Sequence, residues 1–215
     1  MKKILYIVGG NSTALEIREI FDQFYSNDYA LIYNVIGDDE STSLTNVIRD
    51  SELEAHLTDK SEIYFIIGVT NIRLKDKFRS FFTKHAGIET NCIHPKSYIS
   101  PSAQLGKGIY IAAFSVVSSN AKIGDGTFIN INVSVGHDCI IGKDCCLNPG
   151  ARISGHVSVG NATLIGANSC VFQGKRIGTN CAIDAMTYIE RNIEDAKMCT
   201  CRMGGLRIYN NCKLE

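Results

Sequence analysis

An aliphatic residue recurs at every sixth position of the chain from Ile93 to Ile189, seventeen times without interruption. Seven of these residues are followed directly by glycine, and a small or short-branched side chain stands four positions after nearly every one. A six-residue period fits neither an α-helix nor an alternating strand. It is typical of short strands joined by tight turns, so it predicts a parallel β-helix in which each coil packs against its neighbours.

The same period sets the size of each coil. Three hexads form one three-sided coil, so seventeen hexads predict between five and six coils. The large residues stack along the axis, and a small residue lies beside each of them, where a larger one would overpack the corner. A sandwich of alternating strands would not keep this phase over seventeen hexads. The periodicity does not give the hand of the coil, although crossovers between parallel strands are normally right-handed.

The first 90 residues follow a different pattern, in which short apolar runs alternate with amphipathic segments. The predicted strands span 3–8, 29–37 and 62–68, and the predicted helices span 12–24, 42–57 and 71–85. In the first helix, Ser12 or Thr13 is expected to be the N-cap, and the residues expected to face the core are Leu15, Ile17, Ile20 and Phe21. Strands that alternate with helices predict a parallel α/β sheet.

Glycine and aspartate follow the predicted strands at the ends where ligands bind in open parallel sheets. Gly9-Gly10, Asp38-Asp39 and Gly68 all lie at the carboxyl end of a strand, which indicates a site for a nucleotide or a nucleotide sugar. The segment after the first strand lacks the third glycine of the dinucleotide fingerprint. The alternative is a packing domain in which these glycines only permit tight turns.

Charge and hydropathy argue against nucleic-acid and membrane partners. The 215 residues include 22 basic and 22 acidic side chains with no long run of either sign, whereas nucleic-acid-binding domains carry basic patches. Met1-Lys2-Lys3 and the apolar run after it imitate a signal sequence, but the run is short and lacks a small-residue cleavage site. We expect a buried first strand, and no segment has the roughly eighteen apolar residues of a membrane span.

The nine cysteines indicate a reducing compartment. Cys139, Cys145 and Cys181 occupy the small inward position of the hexad, where cysteine packs as a small apolar residue. Their number is odd and several are explained by packing, so we expect no disulfide framework and a cytoplasmic protein. Cys199-Thr200-Cys201 lacks a second pair of ligands at the spacing of a zinc site, so no metal is predicted there.

The order of the two domains and the segment Val135-Gly136-His137-Asp138-Cys139-Ile140-Ile141-Gly142 resemble a known family. The chain is similar to bacterial sugar acetyltransferases of the left-handed β-helix superfamily, and most similar to the branch that acetylates UDP-4-amino-sugars for surface glycans. The resemblance implies a Rossmann-like sugar-nucleotide-binding domain over 1–90. It also implies a left-handed β-helix acetyltransferase domain with a C-terminal tail over 91–215, acetyl-CoA as co-substrate, no metal, and a homotrimer with coenzyme between neighbours.

The resemblance also assigns roles to individual residues. His137 is implied to be the catalytic base and Asp138 its acidic partner. The residues implied to contact acetyl-CoA are Gly155, through its amide near the thioester, Gly166 and Ala167, beside the pantetheine arm, and Cys146, where the family has a second histidine. The residues implied to bind the sugar nucleotide are Gly9, Gly10, Asn11, Ser12, Thr13, Asp38, Asp39, Gly68 and Asn71.

Acetyl transfer from a thioester needs a group that removes a proton from the attacking nucleophile. Histidine can do this near neutral pH, and Asp138 could hold the imidazole only if the chain turns there, because adjacent side chains of a strand point in opposite directions. An exposed His137 with no role is the alternative, and His156 is the next candidate base. Two other functions stay open: O-acetylation of a sialic acid, a nonulosonic acid or another sugar hydroxyl, and a non-catalytic scaffold built from hexapeptide repeats.

Overall fold

A computed structural model describes residues 2–10, 12–57, 61–202 and 204–211. The chain divides into two compact units, Met1–Cys92 and Ile93–Glu215. The first is an α/β unit around a parallel sheet, and the second is a parallel β-helix. Among the described residues, no helix combines the length and the hydropathy needed to cross a bilayer.

The first unit has a five-stranded sheet in which every neighbouring pair is parallel. Its strands are β1 (Lys3–Val8), β2 (Leu31–Ile36), β3 (Val47–Arg49), β4 (Glu62–Ile67) and β5 (Ile88–Glu89), in the order β3-β2-β1-β4-β5. The helices are α1 (Ser12–Phe24), α2 (Leu53–His56) and α3 (Ile72–Lys84), with a 3-10 turn at Asp50–Glu52. The predicted parallel α/β sheet is confirmed.

Two details of this unit differ from the prediction. Leu15 is 38% exposed, and Ala14 lies on the buried face of α1 instead, because the buried stripe at Ile17 and Phe21 repeats every three to four residues and excludes Leu15. The segment 42–57 is not one helix, since β3 pairs with the outer edge of β2 before α2 begins. Ile48 is buried in that pairing, and β-branched residues favour a half-buried strand.

The second unit is built almost entirely of two-residue strands, each ending in the aliphatic residue of its hexad. These strands are β6 (Cys92–Ile93), β7 (Tyr98–Ile99), β8 (Gln104–Leu105), β9 (Tyr110–Ile111), β10 (Val116–Val117), β11 (Lys122–Ile123), β12 (Phe128–Ile129), β13 (Ser134–Val135), β14 (Ile140–Ile141), β15 (Cys146–Leu147), β16 (Arg152–Ile153), β17 (Ser158–Val159), β18 (Leu164–Ile165), β19 (Cys170–Val171), β20 (Arg176–Ile177), β21 (Ala182–Ile183) and β22 (Tyr188–Ile189). Longer strands β23 (Lys197–Thr200) and β24 (Arg207–Asn210) follow and pair antiparallel.

Each short strand pairs in parallel with the strand three hexads further on, as Val117, Val135 and Ile153 do in successive coils. Three sheets result, and their orders are β22-β19-β16-β13-β10-β7, β20-β17-β14-β11-β8 and β24-β23-β21-β18-β15-β12-β9-β6. The three-sided coil and the inward aliphatic stack are therefore confirmed, and the stack forms one continuous buried cluster along the axis.

The small inward position of the hexad explains three of the cysteines, Cys139, Cys145 and Cys181. Thr127 and Ser169 donate their hydroxyls to carbonyl oxygens fifteen residues further on, at 2.8 and 2.7 Å. Cys139 and Cys145 place their thiols at the same position and donate to the carbonyls of Ser154 and Gly160. All eight described cysteines are free thiols, and at the inward position cysteine is a small buried side chain with a weak donor.

Candidate active site

His137 lies at a tight corner between β13 and β14. The chain turns at Asp138, whose backbone has a φ of 57°, so two adjacent side chains come to the same side of the corner. His137 Nδ1 lies 2.8 Å from Asp138 Oδ2. Asp138 could hold the imidazole of His137 only if the chain turned at this position, and the structure has that turn.

The electrostatics of Asp138 set the tautomer of His137. A hydrogen bond from His137, and a second from Asn120 Nδ2 to Oδ1 at 3.1 Å, hold the pKa of the Asp138 carboxyl below its ordinary value. An ionised carboxylate only accepts hydrogen bonds, so Nδ1 of His137 carries the proton. In the neutral ring Nε2 is then left with its lone pair, the state that a general base needs.

Gly155 lies one coil after His137 and directly against its ring. A Cβ at Gly155 would lie 2.5 Å from His137 Nε2 and 2.7 Å from its Cε1. The amide of the next residue, His156, donates to the His137 carbonyl at 2.9 Å and fixes the two coils together. Only glycine leaves the space beside Nε2 open, and it is in this space that a reacting group could approach the base.

A second histidine contacts the same carboxylate. His156 Nε2 lies 3.9 Å from Asp138 Oδ2, and the His137 and His156 rings meet edge to face with their centroids 4.9 Å apart. The side chains of His137, Asp138 and His156 are 53%, 38% and 55% exposed. The sequence marks His156 only as a reserve base, since its contact with Asp138 depends on the stacking of coils.

Ala167 lies on a different corner of the coil, which carries a groove. This groove has a volume of about 510 Å³, and it is lined by Phe114, Ile131, Asn132, Pro149, Gly150, Ala167 and Asn168. These residues follow one another at the same corner of successive coils. Gly166 is not among them, and its lack of a side chain has a structural reason: a Cβ there would lie 2.5 Å from the backbone nitrogen of Ala185 in the next coil.

Cys146 lies on the flat side of the coil within β15, away from both corners. Its Sγ is 3.7 Å from Asn130 Nδ2 and 3.5 Å from Asn148 Oδ1. Within one chain the β-helix therefore brings His137, Asp138 and Gly155 together. It does not bring Cys146 or Ala167 to them.

In the first unit, a cavity of about 140 Å³ lies at the carboxyl ends of β1 and β2. Its lining residues are Val8, Gly9, Val35, Ile36, Gly37, Glu40, Asp50, Val69, Leu74 and Phe78. Gly9 has a φ of 115°, and its carbonyl accepts a 2.8 Å hydrogen bond from the fully buried Asn34 side chain. Sequence reasoning missed Glu40 and Asp50, because they come from loops with no motif.

The other predicted substrate residues that the structure describes do not line this cavity, and several have structural contacts. Gly68 donates its amide to the Val8 carbonyl, and a Cβ there would lie 2.7 Å from Ala14. A Cβ at Gly10 would lie 2.7 Å from Ile36. Asn71 caps α3 by accepting a hydrogen bond from the Leu74 amide at 3.1 Å.

The remaining members of the predicted sugar-nucleotide set lie at the start of α1 and after β2. Ser12 and Thr13 are the first residues of α1, Asp38 and Asp39 are exposed, and Asn11 lies outside the described residues. Of the described members of this set, only Gly9 lines the cavity, and the role of the whole set in binding stays a prediction.

Asp38 gives a pH-dependent prediction. Hydrogen bonds from the Ser51 hydroxyl and amide hold the pKa of the Asp38 carboxyl below its ordinary value. A lowered folded-state pKa contributes stability above the unfolded pKa, and this contribution is lost as the pH falls through the folded value. We expect Asp38→Asn to lower the melting temperature slightly at pH 7, and this deficit to shrink as the pH falls below the ordinary pKa of an aspartate.

The matched control is the exposed neighbour Asp39, because surface substitutions have small effects. Asp39→Asn is expected to leave the melting curve unchanged at both pH values. Thermal melts of the three proteins measure this, and an Asp38→Asn deficit that is as large at pH 3 as at pH 7 would contradict the assignment.

Comparisons with known proteins agree with this architecture. A family model described as bacterial transferase hexapeptide (six repeats) matches residues 120–155, the segment that holds His137, Asp138 and Gly155. The chain is 27% identical over 146 residues to the GDP-perosamine N-acetyltransferase of Escherichia coli O157:H7. That match covers 66% of this chain and 64% of the relative, which is less than two thirds of the relative's length.

Two solved structures are similar over nearly the whole chain. PerB from Caulobacter crescentus, in complex with CoA and GDP-perosamine, has a TM-score of 0.85 and 25% identity, with 96% of this chain and 97% of that chain covered. The acetyltransferase domain of PglB from Neisseria gonorrhoeae, in complex with acetyl coenzyme A, has a TM-score of 0.81 and 24% identity, with 93% and 96% covered. The resemblance to bacterial sugar acetyltransferases with hexapeptide repeats is confirmed.

Proposed function

We propose that this chain is a cytoplasmic, acetyl-CoA-dependent acetyltransferase that N-acetylates a nucleotide-linked 4-amino-sugar for a surface glycan. The observation that carries the proposal is the corner where Asp138 holds Nδ1 of His137 and Gly155 leaves Nε2 open. A free base beside an uncrowded backbone is the arrangement that acetyl transfer to an amine needs. The similarity to PerB, which was solved with CoA and GDP-perosamine, supports the same class of reaction.

The residues of this corner would act in sequence. His137 Nε2 takes the proton from the sugar amine as the nitrogen attacks the thioester carbonyl carbon. The Gly155 amide is the donor for the oxyanion of the tetrahedral intermediate. When the carbon–sulfur bond breaks, the acetylated amine and the coenzyme thiolate form. The His137 imidazolium then gives its proton to the thiolate, so the coenzyme leaves as the thiol. Asp138 stays ionised and stabilises the imidazolium in between.

Each of the two domains is proposed to have a separate role. Residues 1–90 bind the sugar nucleotide as a Rossmann-like domain, and residues 91–215 transfer the acetyl group as a left-handed β-helix. The strand order of the first sheet is that of doubly wound nucleotide-binding sheets, whose ligands bind at the carboxyl ends of the strands. The cavity beside Gly9 lies at those ends, and its lining includes Glu40, which accepts a hydrogen bond from the Gly37 amide, and Asp50, which pairs with Lys77.

The coenzyme is proposed to lie with its pantetheine arm in the groove at Ala167. Phe114, Ile131 and Pro149 provide an apolar wall along this corner, which suits an aliphatic amide chain. Cys146 lies in β15, in the sheet that leads into the corner of Ala167, and would approach the coenzyme from that side. No metal takes part in the proposed reaction.

The proposal is tested by screening sugars with acetyl-CoA and detecting the released thiol. UDP-4-amino-sugars are the substrates predicted from the sequence, and GDP-perosamine is included because the relatives carry its name. We expect thiol release with a nucleotide-linked amino sugar and a product that is 42 Da heavier. Release only with sialic or nonulosonic acids would replace N- by O-acetylation, and no release with any sugar would favour a non-catalytic scaffold.

The oligomer is proposed to be a homotrimer, for a reason visible in the single chain. His137 and the groove at Ala167 lie on neighbouring corners of the coil, with a flat strand between them. A site that needs both is complete only if another chain supplies one of them. Light scattering is expected to give about three times the chain mass of 23.6 kDa, and a monomer with full activity would contradict the shared site.

A further inference from the structure

The corner that holds the proposed base also presents three metal-ligating side chains. One donor atom each from His137, Asp138 and His156 lies within 4.8 Å of the other two. Two imidazole nitrogens and one carboxylate oxygen are the donors that zinc accepts in open sites, at about 2.0–2.2 Å from the ion. The chain thus brings together a three-ligand set, of which the proposed reaction uses His137 and Asp138 only for proton transfer and does not use His156.

The spacing of these donors is close to what one ion requires. Tetrahedral ligands about 2.1 Å from zinc lie about 3.4 Å from each other. Asp138 Oδ2 lies 2.8 Å from His137 Nδ1 and 3.9 Å from His156 Nε2, on either side of that value. All three side chains are at least one third exposed, so small rotations can equalise the distances without disturbing the core.

We propose that His137, Asp138 and His156 bind a divalent transition-metal ion, with Zn²⁺ as the best match, and that the bound ion inhibits the enzyme. Imidazole selects zinc and its neighbours over magnesium, which prefers six oxygen ligands. The negative charge of Asp138 offsets part of the charge of the ion. The fourth position is left to water, as in other three-ligand zinc sites.

Inhibition follows from the position of His137 in this set. If the ion binds Nδ1, it replaces the hydrogen bond to Asp138 that fixes the tautomer. If the ion binds Nε2, it takes the lone pair that would accept the proton. The ion is therefore an inhibitor and not part of the reaction. This half of the proposal rests on the proposed function, whereas metal binding itself does not.

The cysteines are the competing ligands that the experiment has to separate. Cys146, Cys170 and Cys201 are partly exposed thiols, and thiolates bind zinc strongly. None of them belongs to the three-residue cluster. Zinc held by cysteine would therefore be insensitive to a change at His156, which supplies one of the three proposed ligands.

The binding experiment titrates ZnCl₂ into chelator-treated full-length protein and follows the heat of binding. The variant is His156→Asn, and the matched control is His94→Asn, because His94 lies outside the cluster. We expect one zinc ion per chain in the wild type and in the control. In His156→Asn the zinc affinity is expected to fall about tenfold or more, because loss of a direct ligand costs at least as much as loss of a residue that only supports a ligand. Equal binding in all three proteins, or none in the wild type, would overturn the site.

The activity experiment adds zinc to the acetyl-transfer assay. The acetylated sugar is measured by mass spectrometry, because the thiol of free coenzyme A also binds zinc. Zinc is expected to stop turnover of the wild type reversibly, with activity restored by EDTA, and about tenfold more zinc is expected to be needed for His156→Asn. Binding that leaves turnover unchanged would overturn the inhibition. If no sugar is acetylated at all, the proposed function fails while the binding experiment still decides the site.

Discussion

Replacing His137 with alanine is expected to lower the turnover number by about 100-fold or more, the usual contribution of a general base. The side chain is more than half exposed and contributes nothing to the inward stack. The variant should therefore keep the melting temperature and the oligomeric state of the wild type. Coenzyme affinity should change little, because the groove at Ala167 lies on another corner. Steady-state kinetics and a melting curve measure both effects.

A second substitution separates the base from the hydrogen bond to Asp138. The side-chain amide in His137→Asn can still donate to the Asp138 carboxylate, but it cannot take a proton. We expect this variant to lose as much activity as His137→Ala, whereas Asp138→Ala should lose less, because Asp138 only supports the ring. A folded His137→Ala protein with wild-type turnover would show that the base is elsewhere, and His156 would be the next residue to replace.

Replacing Ile141 with alanine is expected to lower the free energy of unfolding by about 2–5 kcal/mol, the range for large-to-small changes in a well-packed core. Ile141 is 2% exposed and stacks between Ile123 and Val159 of the neighbouring coils. The coils on both sides are fixed by their own strand pairing, so the cavity is not expected to close. Chemical denaturation at one fixed protein concentration gives the value.

The preceding residue provides the matched control, because it is also isoleucine. Ile140 lies in the same strand but points outward and is 54% exposed. Ile140→Ala is expected to change the free energy of unfolding by about 0.5 kcal/mol or less, as for other surface substitutions. Equal losses in the two variants would contradict the inward and outward assignment of this strand.

The β-helix could be predicted almost completely because every hexad has the same packing requirement. One large residue must stack and one small residue must fit beside it, so the inward residues recur in the sequence at a fixed spacing. The α/β unit has no such repetition. Leu15 has the hydrophobicity of a core residue yet is exposed on α1, and 47–49 forms an edge strand because β2 offers a partner. Contacts distant in sequence decided both.

The sequence by itself determined the coil size, the inward stack and the packing role of Cys139, Cys145 and Cys181. Each of these depends on residues that are adjacent or separated by a fixed period. Only the tertiary structure decided which side chains of successive coils contact each other. It put Gly155 against the ring of His137, brought His156 to the carboxylate of Asp138, and kept Ala167 on another corner. The three-hexad coil gives which residues are neighbours in successive coils, but the direction of each side chain at its turn and the distances between them depend on contacts that the period does not record.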